Sequence, residues 1–297
     1  MKKNLFFAAA FILVSGAAFA QGNVSKVSQK GADNEADVTQ TGETNISDIL
    51  QSGNLNTATV IQAGVNNEAY QTQAAGEAGT AQGNVALIEQ GAAGGEATGN
   101  YAEQSQQDLS LDNTAFIVQT GTSNASFQYQ GAGYADNTAG AVQGGVDNDA
   151  QQYQSNLSVG NILSIEQEGE NNKAGQEQTD RSQGNTAGIV QSGNNNEASQ
   201  QQFLDAYLNK ADITQSGNLN YAVQQQAIAE EGIMTAVQTG DLNYAEQYQR
   251  YGALNTATIT QTGDVNYAGQ LQSGDNHTST INQNGSNNSA VTQQFNN

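Results

Sequence analysis

Asn185-Thr186-Ala187-Gly188-Ile189-Val190-Gln191-Ser192-Gly193-Asn194-Asn195-Asn196-Glu197-Ala198-Ser199-Gln200-Gln201-Gln202 holds two strands and the bend between them. Asn185, Ala187, Ile189 and Gln191 fall at every second position, and so do Asn196, Ala198, Gln200 and Gln202. That period places each foursome on one face of an extended strand, whereas a helix would repeat every three to four residues. Ser192-Gly193 follows the first strand, and a glycine there permits the positive φ of a tight arch.

Working outward, the same seven-residue unit, Asn-x-Ala-x-φ-x-Gln, recurs from Asn23 onward. One form carries Ile or Val at φ, as in Asn56-Ala58-Val60-Gln62, Asn113-Ala115-Ile117-Gln119, Asn185-Ala187-Ile189-Gln191 and Asn255-Ala257-Ile259-Gln261. The other carries Gln, as in Asn67-Ala69-Gln71-Gln73, Asn172-Ala174-Gln176-Gln178 and Asn266-Ala268-Gln270-Gln272. From Asn56 the two largely alternate, and about twenty-three segments make eleven pairs and one strand over. Arch glycines recur at Gly42, Gly53, Gly64, Gly193, Gly217, Gly240 and Gly263. The return link is usually longer and varies, so insertions gather mostly at one corner.

Every second Asn recurs after 22 to 24 residues with one insertion, a period that signals a solenoid whose units stack because none can bury its face alone. The expected fold is all-β: a β-solenoid of eleven to twelve two-strand rungs, each a β-arch, stacked parallel and in register roughly 4.8 Å apart into a rod of roughly 55 Å. Inward Ala lets the sheets approach and Ile or Val fills the space opposite. Inward Asn and Gln escape the cost of burial by bonding to their copies on adjacent rungs. The outward row Ala125, Asp149, Lys173, Glu197, Tyr221, Tyr244 and Tyr267 supports that register, because opposite charges and then three tyrosines become neighbours. Tyr129 and Tyr153 form a further outward pair.

Lys2 and Lys3, an apolar run from Leu5 to Val14 and Ala18-Phe19-Ala20 read as a signal peptide over residues 1–20, leaving 21–297 as one solenoid domain. The apolar run is too short to span a bilayer, so no transmembrane segment is expected. Without Lys2 and Lys3, six basic residues face 29 acidic ones, a formal balance near −23 that argues against a nucleic-acid partner and keeps a self-associating chain dispersed. With no Cys, disulfides and thiolate metal sites are excluded, and with no Pro every segment can join a β-ladder.

An enzyme is not expected. His277 is the sole His and sits on the ladder, there is no Cys nucleophile, and carboxylates such as Glu35, Glu68, Asp149 and Glu197 scatter over the outer face. Neither a catalytic residue, a cofactor nor a metal site is assigned. A calcium-binding solenoid would repeat Gly-Gly-x-Gly-x-Asp, of which only Gly145-Val146-Asp147-Asn148-Asp149 gives a hint. An ice-binding solenoid would need a regular Thr face, and the row through Thr256, Thr258, Thr260, Thr278 and Thr280 breaks at Ile233, Asp212 and Lys210. Degenerate copies at Gly232-Met234-Ala236-Gln238, His277-Ser279-Ile281-Gln283 and Asn288-Ala290-Thr292-Gln294 read either as drift or as rungs weakened to delay aggregation until export is complete.

Many in-phase copies of Gln-x-Gly-x-x-Asn-x-Ala, such as Gln51-Ser52-Gly53-Asn54-Leu55-Asn56-Thr57-Ala58 and Gln261-Thr262-Gly263-Asp264-Val265-Asn266-Tyr267-Ala268, closely resemble the curlin repeat. The resemblance implies a major subunit of a curli fibre, a functional amyloid at the surface of a Gram-negative bacterium, secreted through an outer-membrane channel, nucleated by a minor curlin and serving adhesion and biofilm matrix. The alternatives are the minor nucleating curlin itself, or a non-polymerising calcium- or ice-binding solenoid adhesin. Repeats run from Asn23, Val27 and Gln29 to Asn288, Ala290 and Gln294, so both ends are expected to expose bare rungs. Contact between unlike ends does not close on itself, and the chain is expected to polymerise head to tail with itself.

Overall fold

The computed structural model describes residues 22–74, 81–91, 97–107, 110–131 and 135–296. The signal peptide expected over residues 1–20 lies outside them. The described residues form two parallel sheets facing each other across a thin core. One, here the amide sheet, has twelve strands running from Val24–Ala32 to Ser289–Phe295. The other, the aliphatic sheet, runs through eleven strands from Glu35–Glu43 to Thr278–Asn284, with the two-residue strand Ala97–Thr98 beside Thr57–Val65. Apart from Ala97–Thr98, successive strands alternate between the two sheets, which makes eleven two-strand turns and a final single strand among the described residues, the count expected from the repeat.

Pairing is in register throughout. Asn45 stacks on Asn23 with an offset of 22 residues. The offset is 24 through the middle, where Thr186 pairs with Lys210, and 23 where Tyr221 pairs with Tyr244. It returns to 22 at the far end, where Tyr267 pairs with Ser289. The outward row from Ala125 to Tyr267 is aligned as expected. The Tyr221, Tyr244 and Tyr267 rings stack at 4.8 and 5.3 Å, while Tyr153 sets its ring against Phe127 at 5.3 Å.

Because the two strands of a rung run in opposite directions across the core, Ala of the amide sheet packs with Ile or Val of the aliphatic sheet. Ala174, Ala198, Ile189 and Ile213 belong to one such continuous column. Each buried Ile contributes roughly 2 kcal/mol. The second Ala row, which includes Ala187, Ala211 and Ala257, forms a narrower column. The degenerate copy at Met234 shows how the core tolerates exchange. Met234 takes the Ala place and Ala236 the Ile place, so bulk moves along the strand while both stay buried.

The arch glycines have two reasons to be glycine. Gly217 has φ +118, and a Cβ there would lie 2.2 Å from the Gly240 carbonyl oxygen of the next rung. Two residues later the chain again enters the left-handed region, at Leu219 (φ 57), Leu242 (φ 56) and Val265 (φ 59). Side-chain-bearing residues pay about 1–2 kcal/mol for that conformation, and Asn195 and Asn66 show the more comfortable choice at the same place.

Candidate self-assembly surface

The inward amides build the ladders from which the rod's ends derive their chemistry. Gln176 Nε2 donates to Gln200 Oε1 at 2.8 Å, and Gln200 Nε2 to Gln224 Oε1 at 2.9 Å. Gln191 Nε2 donates to Gln215 Oε1 at 2.8 Å in the aliphatic sheet. Each Gln also spends its Nε2 across the core on a backbone carbonyl, Gln200 on Gly188 O at 3.0 Å and Gln191 on Lys173 O at 3.0 Å. These cross-core bonds tie the two sheets together.

Asn56, Ala58, Val60 and Gln62, Asn113, Ala115, Ile117 and Gln119, Asn185, Ala187, Ile189 and Gln191, and Asn255, Ala257, Ile259 and Gln261 are all on the inner face of the aliphatic sheet, and none is more than 1% exposed. Gly42, Gly53, Gly64, Gly193, Gly217, Gly240 and Gly263 all sit in arches with φ between 93° and 120°. Among the described residues three buried side-chain atoms make no hydrogen bond: Gln71 Oε1, Ser47 Oγ and Ser126 Oγ. Gln71 heads its ladder, because Ile49 stands below it in place of another Gln. The two serines stand where the repeat has Ala.

The ladders have direction. Among the described residues the inward Gln ladders donate from lower to higher residue number, from Gln29 Nε2 to Gln51 Oε1 at 2.7 Å at one end and from Gln272 Nε2 to Gln294 Oε1 at 2.9 Å at the other. The Asn ladders run the opposite way: Asn45 N donates to Asn23 Oδ1 at 2.9 Å, and Asn288 N to Asn266 Oδ1 at 3.0 Å. The first rung therefore presents Gln carbonyl oxygens and Asn backbone N–H groups. The last presents Gln amide N–H groups and Asn carbonyl oxygens. The two ends are complementary to each other, and an end brought against its own kind would set donor on donor.

At those ends the core is open to solvent. Val27 is 38% exposed, against 1% for Ile189. Ala290 and Gln294 are half-buried, where their equivalents in the middle of the rod are buried. No described strand or helix covers either end. Sequence reasoning missed how the inner Gln ladder is closed at the far end. Gln270 Nε2 donates to Ser279 Oγ at 3.0 Å, and Ser279 Oγ lies 2.6 Å from Thr292 Oγ1, so a hydroxyl pair replaces the next Gln. The substitutions at Ser279 and Thr292 were visible as departures from the repeat, but their pairing across the core was not. His277 keeps its rung in place, its backbone N donating to Asn255 Oδ1 at 2.8 Å.

The outer surface carries isolated charge. Its ion pairs among the described residues are Lys26–Asp48, Arg181–Asp205 and Lys210–Asp212, all substantially exposed and individually weak. Lys173 lies in register between Asp149 and Glu197 without closing an ion pair to either. No group of three or more His, Asp or Glu comes together among the described residues to hold a metal ion. The Tyr244 hydroxyl donates to Glu246, and that bond, with burial second, raises its pKa. Burial first, then the bond to Glu103 at 2.6 Å, raises that of Tyr101.

No curated protein matches the chain. The curlin associated repeat matches it over residues 31–64, 235–263 and 252–285. These stretches lie toward the two ends of a rod whose two-strand rungs continue between them in one unbroken register. A curlin repeat on a parallel β-solenoid fits a curli-type structural subunit, and at these three places the chain carries stretches similar to the curlin associated repeat.

Proposed function

We propose that the chain is the structural subunit of an extracellular curli-type amyloid fibre, joining head to tail with copies of itself to form biofilm matrix and mediate adhesion. The observation that carries this reading is the pair of open, unlike ends: ladders of amides and backbone groups that reach both end rungs and match one another in donor and acceptor order. Curlin repeats belong to a structural family, which agrees with an outer surface of scattered charge. On this reading the leader over residues 1–20 is removed, the chain leaves a Gram-negative cell through an outer-membrane curli channel, and a minor curlin starts the fibre at the surface. The acidic surface delays assembly until screened, so salt should shorten the lag.

The test is to incubate residues 21–297 alone, image the product and record diffraction from aligned material. Unbranched filaments with a repeat near 4.8 Å along the axis, growing faster when seeded, are expected. A monomer that stays soluble even with seeds overturns the reading in favour of a non-polymerising adhesin.

A further inference from the structure

The rod begins and finishes in the same sheet. The first described strand, Val24–Ala32, and the last, Ser289–Phe295, both belong to the amide sheet, so the described strands close on half a rung. If a second copy set its amide sheet on this amide sheet, the aliphatic sheet would be one strand short at the junction, leaving a gap about 4.8 Å wide beside Ile281. Resting on the fibre reading above, we propose that consecutive subunits are related by a half-turn about the fibre axis, the first strand of the incoming copy filling the vacant place in the aliphatic sheet.

At all inward positions but the one that sets Asn23 on His277, the side chains at the two ends agree with that arrangement. In it, Ser25, Val27 and Gln29 of the incoming strand stack on Ser279, Ile281 and Gln283 of the aliphatic sheet. Ser279 stands at a position occupied by Ala in most rungs, and the incoming strand brings Ser to the same place. The second incoming strand, with Ala36, Val38 and Gln40, stacks on Ala290, Thr292 and Gln294. Thr292 is β-branched and close in shape to Val, where most of the amide sheet has Gln. Both ends thus lack the inner Gln at the places that meet.

The backbone supplies an independent observation. A half-turn exchanges the two arches of a rung, so it needs arches that are alike. In the middle they differ: Gln191 reaches Asn196 through Gly193 and Asn195, whereas the link from Gln178 to Asn185 is longer and turns at Asp180 and Arg181. At the ends they match. Gly31 and Gly42 have φ 119 and 93, each followed two residues later by a left-handed residue, Asp33 and Thr44 at φ 55 and 54. Gly274 and Gly285 have φ 108 and 104, followed by Asn276 and Asn287, both at φ 58. The junction arch is itself half-built on each side. Asn296 continues the fold above Gly274, its N donating to Ser273 O at 3.1 Å, and Gly22, at φ 81, holds the left-handed place beneath Thr44.

Thiol pairing in the assembled fibre tests this, since the chain has no cysteine of its own. The half-turn makes Lys26 of one copy the outward neighbour of Thr280 of the next, whereas like-on-like stacking makes it the neighbour of Val291. Adjacent in-register strands fall within disulfide reach. Filaments of residues 21–297 carrying Lys26→Cys with Thr280→Cys should oxidise into a long covalent ladder on a denaturing gel, and those carrying Lys26→Cys with Val291→Cys should stay monomeric there. The reverse pattern, or no ladder from either, overturns the half-turn while leaving the fibre reading intact. Absence of filaments from the unsubstituted chain overturns the fibre reading itself. If the variants alone fail to assemble, images of the unsubstituted fibre decide. The stacked Tyr221, Tyr244 and Tyr267 should recur on alternate sides about every 55 Å, and recurrence on one side overturns the proposal.

Discussion

The end rungs and the middle rungs are made from the same repeat to different specifications. In the middle, Gln71 through Gln270 supply an inner amide ladder, the second arch is lengthened, and rungs of 23 or 24 residues place distinct loops on one edge. At the ends the rungs shrink to 22 residues, the two arches become alike, Val27 and Thr292 stand in for inner amides and Ser279 for an Ala. The middle can afford asymmetry because its neighbours are covalently given. In the proposed fibre an end would have to accept a neighbour by shape alone, and the plainest form of the repeat is the one that would match itself after rotation.

A matched pair of glycine substitutions should separate middle from end most strongly. Gly217→Ala drives a Cβ to within 2.2 Å of the Gly240 carbonyl and forces Ala to φ +118, so the rod should lose several kcal/mol and fail to refold cooperatively by circular dichroism. Gly285→Ala meets nothing closer than 3.8 Å within the subunit, so only the φ strain of about 1–2 kcal/mol remains there. The new Cβ would instead face the incoming subunit, and seeded elongation should nearly stop. Comparable growth of the two variants would erase the distinction between middle and end.

A cavity series sharpens it next. Ile189→Ala should cost about 2–5 kcal/mol in denaturant midpoint, because Ile189 is buried on every side. Val27→Ala should cost the isolated subunit under about 1 kcal/mol, its effect appearing in elongation rate instead. Ser126→Ala should go the other way and stabilise by about 1 kcal/mol in the same titration, since it removes a buried hydroxyl without a partner and restores the repeat's Ala. The smallest expected effect is alkaline. Tyr221, Tyr244 and Tyr248 have pKa values raised above 10 in the folded rod, so their contribution is complete below pH 10 and is lost as pH climbs through the folded values. Thermal melts should fall slightly as the pH is raised above 10, and less so for Glu246→Gln, which replaces the carboxylate bonded to Tyr244.

Most of this architecture was legible in the order of residues. Asn185, Ala187, Ile189 and Gln191 declare their face through a period of two, and the recurrence of that foursome fixes register, because a slip of one residue would turn every amide to solvent. Gly217 was legible as an arch residue, but its contact with the next rung was not, since close approach depends on how arches stack. Leu219 and Val265 gave no sign of a left-handed backbone, which the stacked arch imposes on whichever residue falls there. The candidate surface was half legible. The spacing at both ends contains equal arches, but only the assignment of Val24–Ala32 and Ser289–Phe295 to one sheet shows that the rod ends on a half-step.

The arches have one more consequence, and it is mechanical. Within a subunit, adjacent rungs share backbone bonds and amide ladders, and the chain also passes from one to the next through an arch. In the proposed fibre the bonds between subunits would be the same but the covalent thread would be missing. A fibre under tension or shear should therefore part at its joints, into pieces of whole subunits. Each fracture would expose one fresh rung of either kind, so breaking the fibre multiplies the places from which it grows.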